Sequence, residues 1–154
     1  MKTLPNYTKS LENLKKLKSA VIDSSSIIYM EKAGFLDAVI AHLPLHSHNL
    51  VQDEIAMPIN IEWHYSDIKI TDEAIIKLAL ELSMPLISDD KKMINRLIVE
   101  KQEAYNALMI LHWLYLKAHI SLSEHLEYLT RLIRVARYSP AVIEYGNQVF
   151  ALML

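Results

Sequence analysis

Asp23, Glu54, Asp72 and Asp90 are the side chains whose types could do chemistry together in this chain. Asp23 closes the apolar run Ala20-Val21-Ile22, and the pair Asp89-Asp90 follows a second run, Leu86-Ile87-Ser88. Each run reads as a short buried strand. Open parallel α/β sheets place their sites at the carboxyl ends of strands, so adjacent strands would bring these acids within reach of one another. Asp72 opens the helix that leads into the second strand, and Glu54 lies on an earlier helix that could lean over the same edge. Crowded carboxylates repel, and a hard divalent cation relieves the repulsion. Mg²⁺ and Mn²⁺ take oxygen ligands and keep several waters, and such an ion supplies the Lewis acidity that phosphodiester hydrolysis requires.

Each acid also has a plainer reading. Asp23, followed by Ser24, Ser25 and Ser26, is an ordinary helix cap. Asp72 suits the positive end of a helix, Glu54 suits a solvated face, and Asp89-Asp90 suits a strand-to-helix turn. It is the conjunction of the four that points to a site. Ser24 and Ser25 beside Asp23 are candidate substrate contacts. Lys91, Lys92 and Arg96 follow the second acidic turn and could grip phosphates flanking a scissile one; a solvated helix face is the plainer explanation. Seven histidines are scattered, with His42, His46 and His48 close together, but no HExxH signature marks a zinc site. Phosphate-binding loops of the GxxxxGK[ST] and GxGxxG types and a GxSxG elbow are absent from the sequence.

These residues need short strands alternating with helices. Leu11, Leu14 and Leu17 recur every three within a Lys-rich lead-in. Ser24 to Ala33 reads as a helix stopped by Gly34, and Phe35 to His42 as another. A brief strand or loop is expected at Leu43 to His46, then a helix begun by an Asn49/Gln52 capping box and ended by Pro58. Ile59 to Ile70 is irregular, with room for one short strand. Thr71 can cap a helix from Asp72 to Leu82. Further helices are expected at Lys91 to Val99, Ala107 to Lys117, Ser121 (with Glu124 as a capping box) to Tyr138, and from Ser139-Pro140 onward. Alternation of this kind predicts an α/β fold with a mostly parallel sheet covered on both faces.

The 154 residues suit one domain with a sizeable core. A net charge of −2 gives no bulk attraction for nucleic acid, so any such site must be local, with a bound cation inverting the charge of an acidic pocket. The absence of cysteine excludes disulfides and thiolate chemistry and suits a reducing cytoplasm. Met1 to Ala20 lacks the apolar stretch of a secretory signal, and no membrane span is expected. The apolar end Val149-Phe150-Ala151-Leu152-Met153-Leu154 is either core or a contact for an oligomer or partner.

In order and spacing the segments resemble the PIN-domain family, in its prokaryotic branch. Val21-Ile22-Asp23-Ser24-Ser25-Ser26 is similar to the family's first strand with its metal-binding Asp. Gln52-Asp53-Glu54-Ile55 resembles the helix that supplies a Glu, Asp72-Glu73-Ala74-Ile75 the helix with a third acid, and Leu86-Ile87-Ser88-Asp89-Asp90-Lys91 the strand and turn with the fourth. The resemblance covers Ala20 to about Tyr145. It implies a three-layer α/β/α sandwich with four to five short strands at residues 20–154, preceded by a basic helical extension at 1–19. It implies a cytoplasmic endoribonuclease dependent on Mg²⁺ or Mn²⁺, with Asp23, Glu54, Asp72 and Asp90 as catalytic metal ligands and Asp89 able to substitute. The partners implied are single-stranded or structured RNA and, for relatives that act as toxins, a small antitoxin. One departure stands out: where the branch carries a Thr/Gly-rich turn before its apolar helix, this chain reads Ala104-Tyr105-Asn106-Ala107. Asn106 could orient a water or phosphate there. The departure feeds an alternative function, a PIN-like module that binds RNA or protein with weakened catalysis.

Overall fold

The computed structural model of the protein describes residues 6–154; residues 1–5 of the basic lead-in lie outside the described residues. The described chain runs α1 (Tyr7–Lys15), β1 (Ala20–Ile22), α2 (Ser24–Ala33), α3 (Leu36–His42), β2 (Leu45–His48), α4 (Asn49–Glu54), β3 (Glu62–His64), α5 (Thr71–Leu82), β4 (Leu86–Ile87), α6 (Lys91–Val99), β5 (Ala104–Tyr105), α7 (Ala107–Leu116), α8 (Leu122–Ala136) and α9 (Pro140–Ala151). The strands form one five-stranded sheet in the order β3-β2-β1-β4-β5, and every pairing is parallel. Helices flank it in an α/β/α sandwich. α5 and α6 pack together, α5 covering β1 and β2, while α2, α3 and α7 form a second group that α8 and α9 extend.

All three residues of β1 are buried, as a central parallel strand covered on both faces requires. From β1 the chain moves outward to β2 and β3, returns to β4 on the other side of β1, and moves outward again to β5. The strand order therefore reverses between β1 and β4. In sheets of this kind the crevice outside the carboxyl ends of the strands opens at that point.

α7 is apolar on all sides, and Ala107 to Leu114 are all buried, the pattern of a helix surrounded by protein. α1 packs on α7 and α9. Its Leu11 and Leu14, with Leu17 beyond it, belong to the same hydrophobic cluster as the sheet. α9 approaches α7 closely because Gly146 has no side chain: a Cβ there would stand 2.8 Å from Leu108 Cδ2. Inside this layer His112 Nδ1 and His125 Nε2 share a hydrogen bond of 2.9 Å, and the other nitrogen of each ring has no partner among the described residues. Phe150 stacks on His125 at 4.2 Å between ring centroids.

Several helix ends follow the expected chemistry. Gly34 ends α2 in the left-handed region at φ 92°. Ser121 and Glu124 form a reciprocal capping box, and Ser139 caps α9 with Pro140 in its first turn. Three expectations need correction. The Asn49/Gln52 capping box does not form, because Asn49 is already helical and His48 caps α4 by accepting from the Leu50 N–H. Thr71 is likewise inside α5, whose capping position is Ile70 without a side-chain bond. Residues Ala104-Tyr105, read from sequence as a turn, form the border strand β5, paired to Leu86-Ile87.

Candidate active site at the carboxyl edge of the sheet

The pairing of β1 with β4 sets Val21 opposite Leu86 and Ile22 opposite Ile87. The next residues, Asp23 and Ser88, therefore leave the sheet side by side at the reversal point. The Asp23 N–H continues the ladder to the Ile87 carbonyl at 2.9 Å. Its side chain then turns back to cap α2, accepting from the Ser24 N–H at 2.8 Å. Its second oxygen accepts from Ser88 Oγ at 3.0 Å and Ser25 Oγ at 3.2 Å. Asp23 is 5% exposed. Burial lifts its carboxyl above the ordinary value and the charge of Asp72 adds to the rise, against the lowering bonds from Ser88, Ser24 and Ser25.

Hydroxyl groups tie the neighbouring acids to this centre. Ser24 Oγ donates to Glu54 Oε2 at 2.6 Å, drawing the end of α4 onto the start of α2. Ser88 Oγ, which donates to Asp23, also accepts from the Asp90 N–H at 3.1 Å. Asp90 caps α6 by accepting from the Lys92 N–H at 2.9 Å through one oxygen. Asp72, exposed in the first turn of α5, is near enough for its charge to act on Asp23. The carboxyl edge thus carries Asp23, Glu54, Asp72 and Asp90 on β1, α4, α5 and the β4–α6 turn, but no three of them offer ligand oxygens that all lie within 4.8 Å of one another.

Asp89 is otherwise employed. Its carboxylate accepts from Ser26 Oγ at 2.6 Å, from the Tyr138 hydroxyl at 2.6 Å and from the Ala107 N–H at 3.1 Å. These bonds join α2, the α8–α9 connection and α7 to the end of β4, so Asp89 acts as a structural tie. Burial raises its carboxyl, and the hydrogen bonds pull the other way.

Among the candidate substrate contacts, Lys91 and Lys92 are exposed in the first turn of α6 and form no ion pair among the described residues. The Arg96 guanidinium is engaged by both oxygens of Glu73, at 2.6 and 3.1 Å, and is thereby committed. Asn106 caps α7 through its side-chain oxygen, which accepts from the Met109 N–H at 2.9 Å; this leaves its amide NH₂ as a donor. Ser24 and Ser25 serve the carboxylates directly. Ser88, Ser26 and Tyr138 were not singled out from sequence. Ser88 carried a signal in its place directly before the acidic pair, whereas Tyr138 is 49 residues from its partner.

The donor set fits a hard cation. All four acids offer oxygen only, and Asp23 has no Lys or Arg paired with it among the described residues. The fit lies in the kind of donor rather than in a closed cage. Among the described residues, the group of three acidic or histidine side chains whose ligand atoms all lie within 4.8 Å of one another is His46, Glu62 and His64, on β2 and β3. No helix among the described residues is long and apolar enough to cross a membrane. Comparison with family models, with curated proteins and with solved structures gives no match for this chain.

Proposed function

We propose that the carboxyl edge is the active site of a PIN-like endoribonuclease that uses Mg²⁺ or Mn²⁺. The observation that carries this reading is Asp23: a buried carboxylate at the strand-order reversal, without a cationic partner among the described residues, linked through serine hydroxyls to Glu54 and to the Asp90 backbone. Asp23, Glu54, Asp72 and Asp90 would hold the ion. When bound, the ion supplies Lewis acidity, offsetting phosphate charge and making water a better nucleophile. The chain's own residues orient and bind. Ser24, Ser25 and Ser88 fix the Asp23 rotamer, so the carboxylate needs little reorganisation. Lys91 and Lys92 carry charge for phosphates beside the scissile one. The Asn106 amide supplies a neutral donor from the start of α7.

The test is cleavage of single-stranded RNA by the purified chain with Mn²⁺, beside an Asp23→Asn control. Cleavage that disappears in the variant supports the reading. A specific observation favours a second reading, a module that binds RNA without cutting it: both Asp23 oxygens already accept hydrogen bonds within the protein. Anisotropy titration with labelled RNA separates the two. RNA bound but left intact by the wild-type chain in Mn²⁺ selects the module.

A further inference from the structure

His46 is directly opposite Glu62 in the parallel pairing of β2 and β3, and His64 is opposite His48. Side chains along a strand alternate between faces, so Glu62 and His64 share one face of β3 with His46 beside them on β2. His46 Nδ1 and His64 Nε2 are 3.0 Å apart, and the rings are tilted by 36°. Two imidazoles bound to one zinc-type ion at ~2.0–2.1 Å in tetrahedral geometry have nitrogens about 3.3 Å apart. The two rings therefore stand within a few tenths of an ångström of a chelating spacing, and one nitrogen of each ring and one Glu62 oxygen all lie within 4.8 Å of one another.

The neighbouring histidine shows the contrast. His48 Nδ1 accepts from the Leu50 N–H, so its Nε2 carries the proton and donates to Ser66 Oγ at 2.7 Å. His48 is satisfied within the protein. His46 and His64 have only each other as hydrogen-bond partners among the described residues.

We propose that His46, Glu62 and His64 form a site for a zinc-class transition metal, separate from the acidic edge between β1 and β4. Two imidazole nitrogens with one carboxylate favour Zn²⁺, Co²⁺ or Ni²⁺ over Mg²⁺. The cluster reaches the surface: Glu62 is exposed and His46 and His64 are half-buried. Three protein ligands leave at least one position for water. The ion fastens the border strand β3 to β2, and with it the start of residues 65–70, which lead to α5. It stands whether or not the acidic edge cuts RNA.

The probe is Co²⁺ alone, added to chelator-treated full-length protein and followed by its visible d–d bands, with Zn²⁺ as competitor. One equivalent of Co²⁺ with intense bands of the four-coordinate type, displaced by Zn²⁺, together with a Tm raised by Zn²⁺, is expected. Glu62→Gln and His64→Ala should each weaken the binding by about tenfold or more, and Asp23→Asn should leave it unchanged. Glu62 is exposed on a border strand, so its variant keeps the test valid if His64→Ala misfolds by circular dichroism. The proposal is overturned by the absence of d–d bands, by binding retained at full strength in Glu62→Gln, or by binding lost in Asp23→Asn.

Discussion

The Asp23 carboxyl is held above its unfolded pKa of 3.8, chiefly by burial. A group raised in this way contributes stability that is complete below 3.8 and is lost as pH rises through the folded value. At neutral pH, without a cation, the Asp23 charge is therefore a local liability. Asp23→Asn is expected to raise Tm by a few degrees at pH 7 in chelator. The Ser25 and Ser88 hydroxyls can rotate to accept from the new amide. The same variant should lose the Tm increase that Mn²⁺ gives the wild type, so one pair of melting curves with and without Mn²⁺ checks both halves. The buried histidine pair has the opposite sign. Burial lowers His112 to about 3, with His125 adding to the shift, and burial lowers His125 to about 4. For these rings stability is complete above the unfolded value of 6.5 and is lost as pH falls toward the folded values, by up to ~1.4 kcal/mol per pH unit for each ring. Urea midpoints measured from pH 7 to pH 4 should fall, and His125→Leu should flatten the slope.

Among the elements, the end of β4 is held by one tie. Tyr138 follows α8 and donates to Asp89, so Tyr138→Phe leaves a buried carboxylate one donor short. Such a loss costs about 1–3 kcal/mol, readable in urea unfolding, and it should leave Mn²⁺ binding intact because Tyr138 reaches Asp89 and none of the four proposed ligands. Legibility from sequence followed the range of the interactions involved. α2, α6, α8 and α9 were readable because Asp23, Asp90, Ser121 with Glu124, and Ser139-Pro140 announce their starts within four residues. β3 was readable only as room for one short strand within Ile59 to Ile70, and β5 not at all, because strands of three and two residues have no periodicity and exist through pairing with distant segments. The same limit hid the partnership of His46 with His64, which depends on register across 18 residues. It hid the division of labour in Asp89-Asp90 as well, since the two acids differ only in what reaches them from α2, α7 and the α8–α9 connection. Arg96 read as a phosphate ligand because Glu73, its partner, lies on a different helix.

At the scale of the molecule, the lead-in helix is part of what holds the sandwich together. Leu14 is fully buried in the common core. Leu14→Ala should cost about 2–5 kcal/mol, measured as a shift in the urea midpoint with an unchanged slope. A helix packed loosely on a finished domain would show a much smaller loss. The reversal of strand order between β1 and β4 sets Asp23 beside Ser88 at one crevice, a neighbourhood inferable once two apolar runs were seen to end in aspartate. The borders of the sheet have a separate consequence. β3 and β5 expose hydrogen-bonding rims only three and two residues long. Such stubs give another chain almost nothing to zip onto. Concentrated solutions of the folded protein should accordingly resist fibril growth, and thioflavin fluorescence should stay flat until the fold itself is lost.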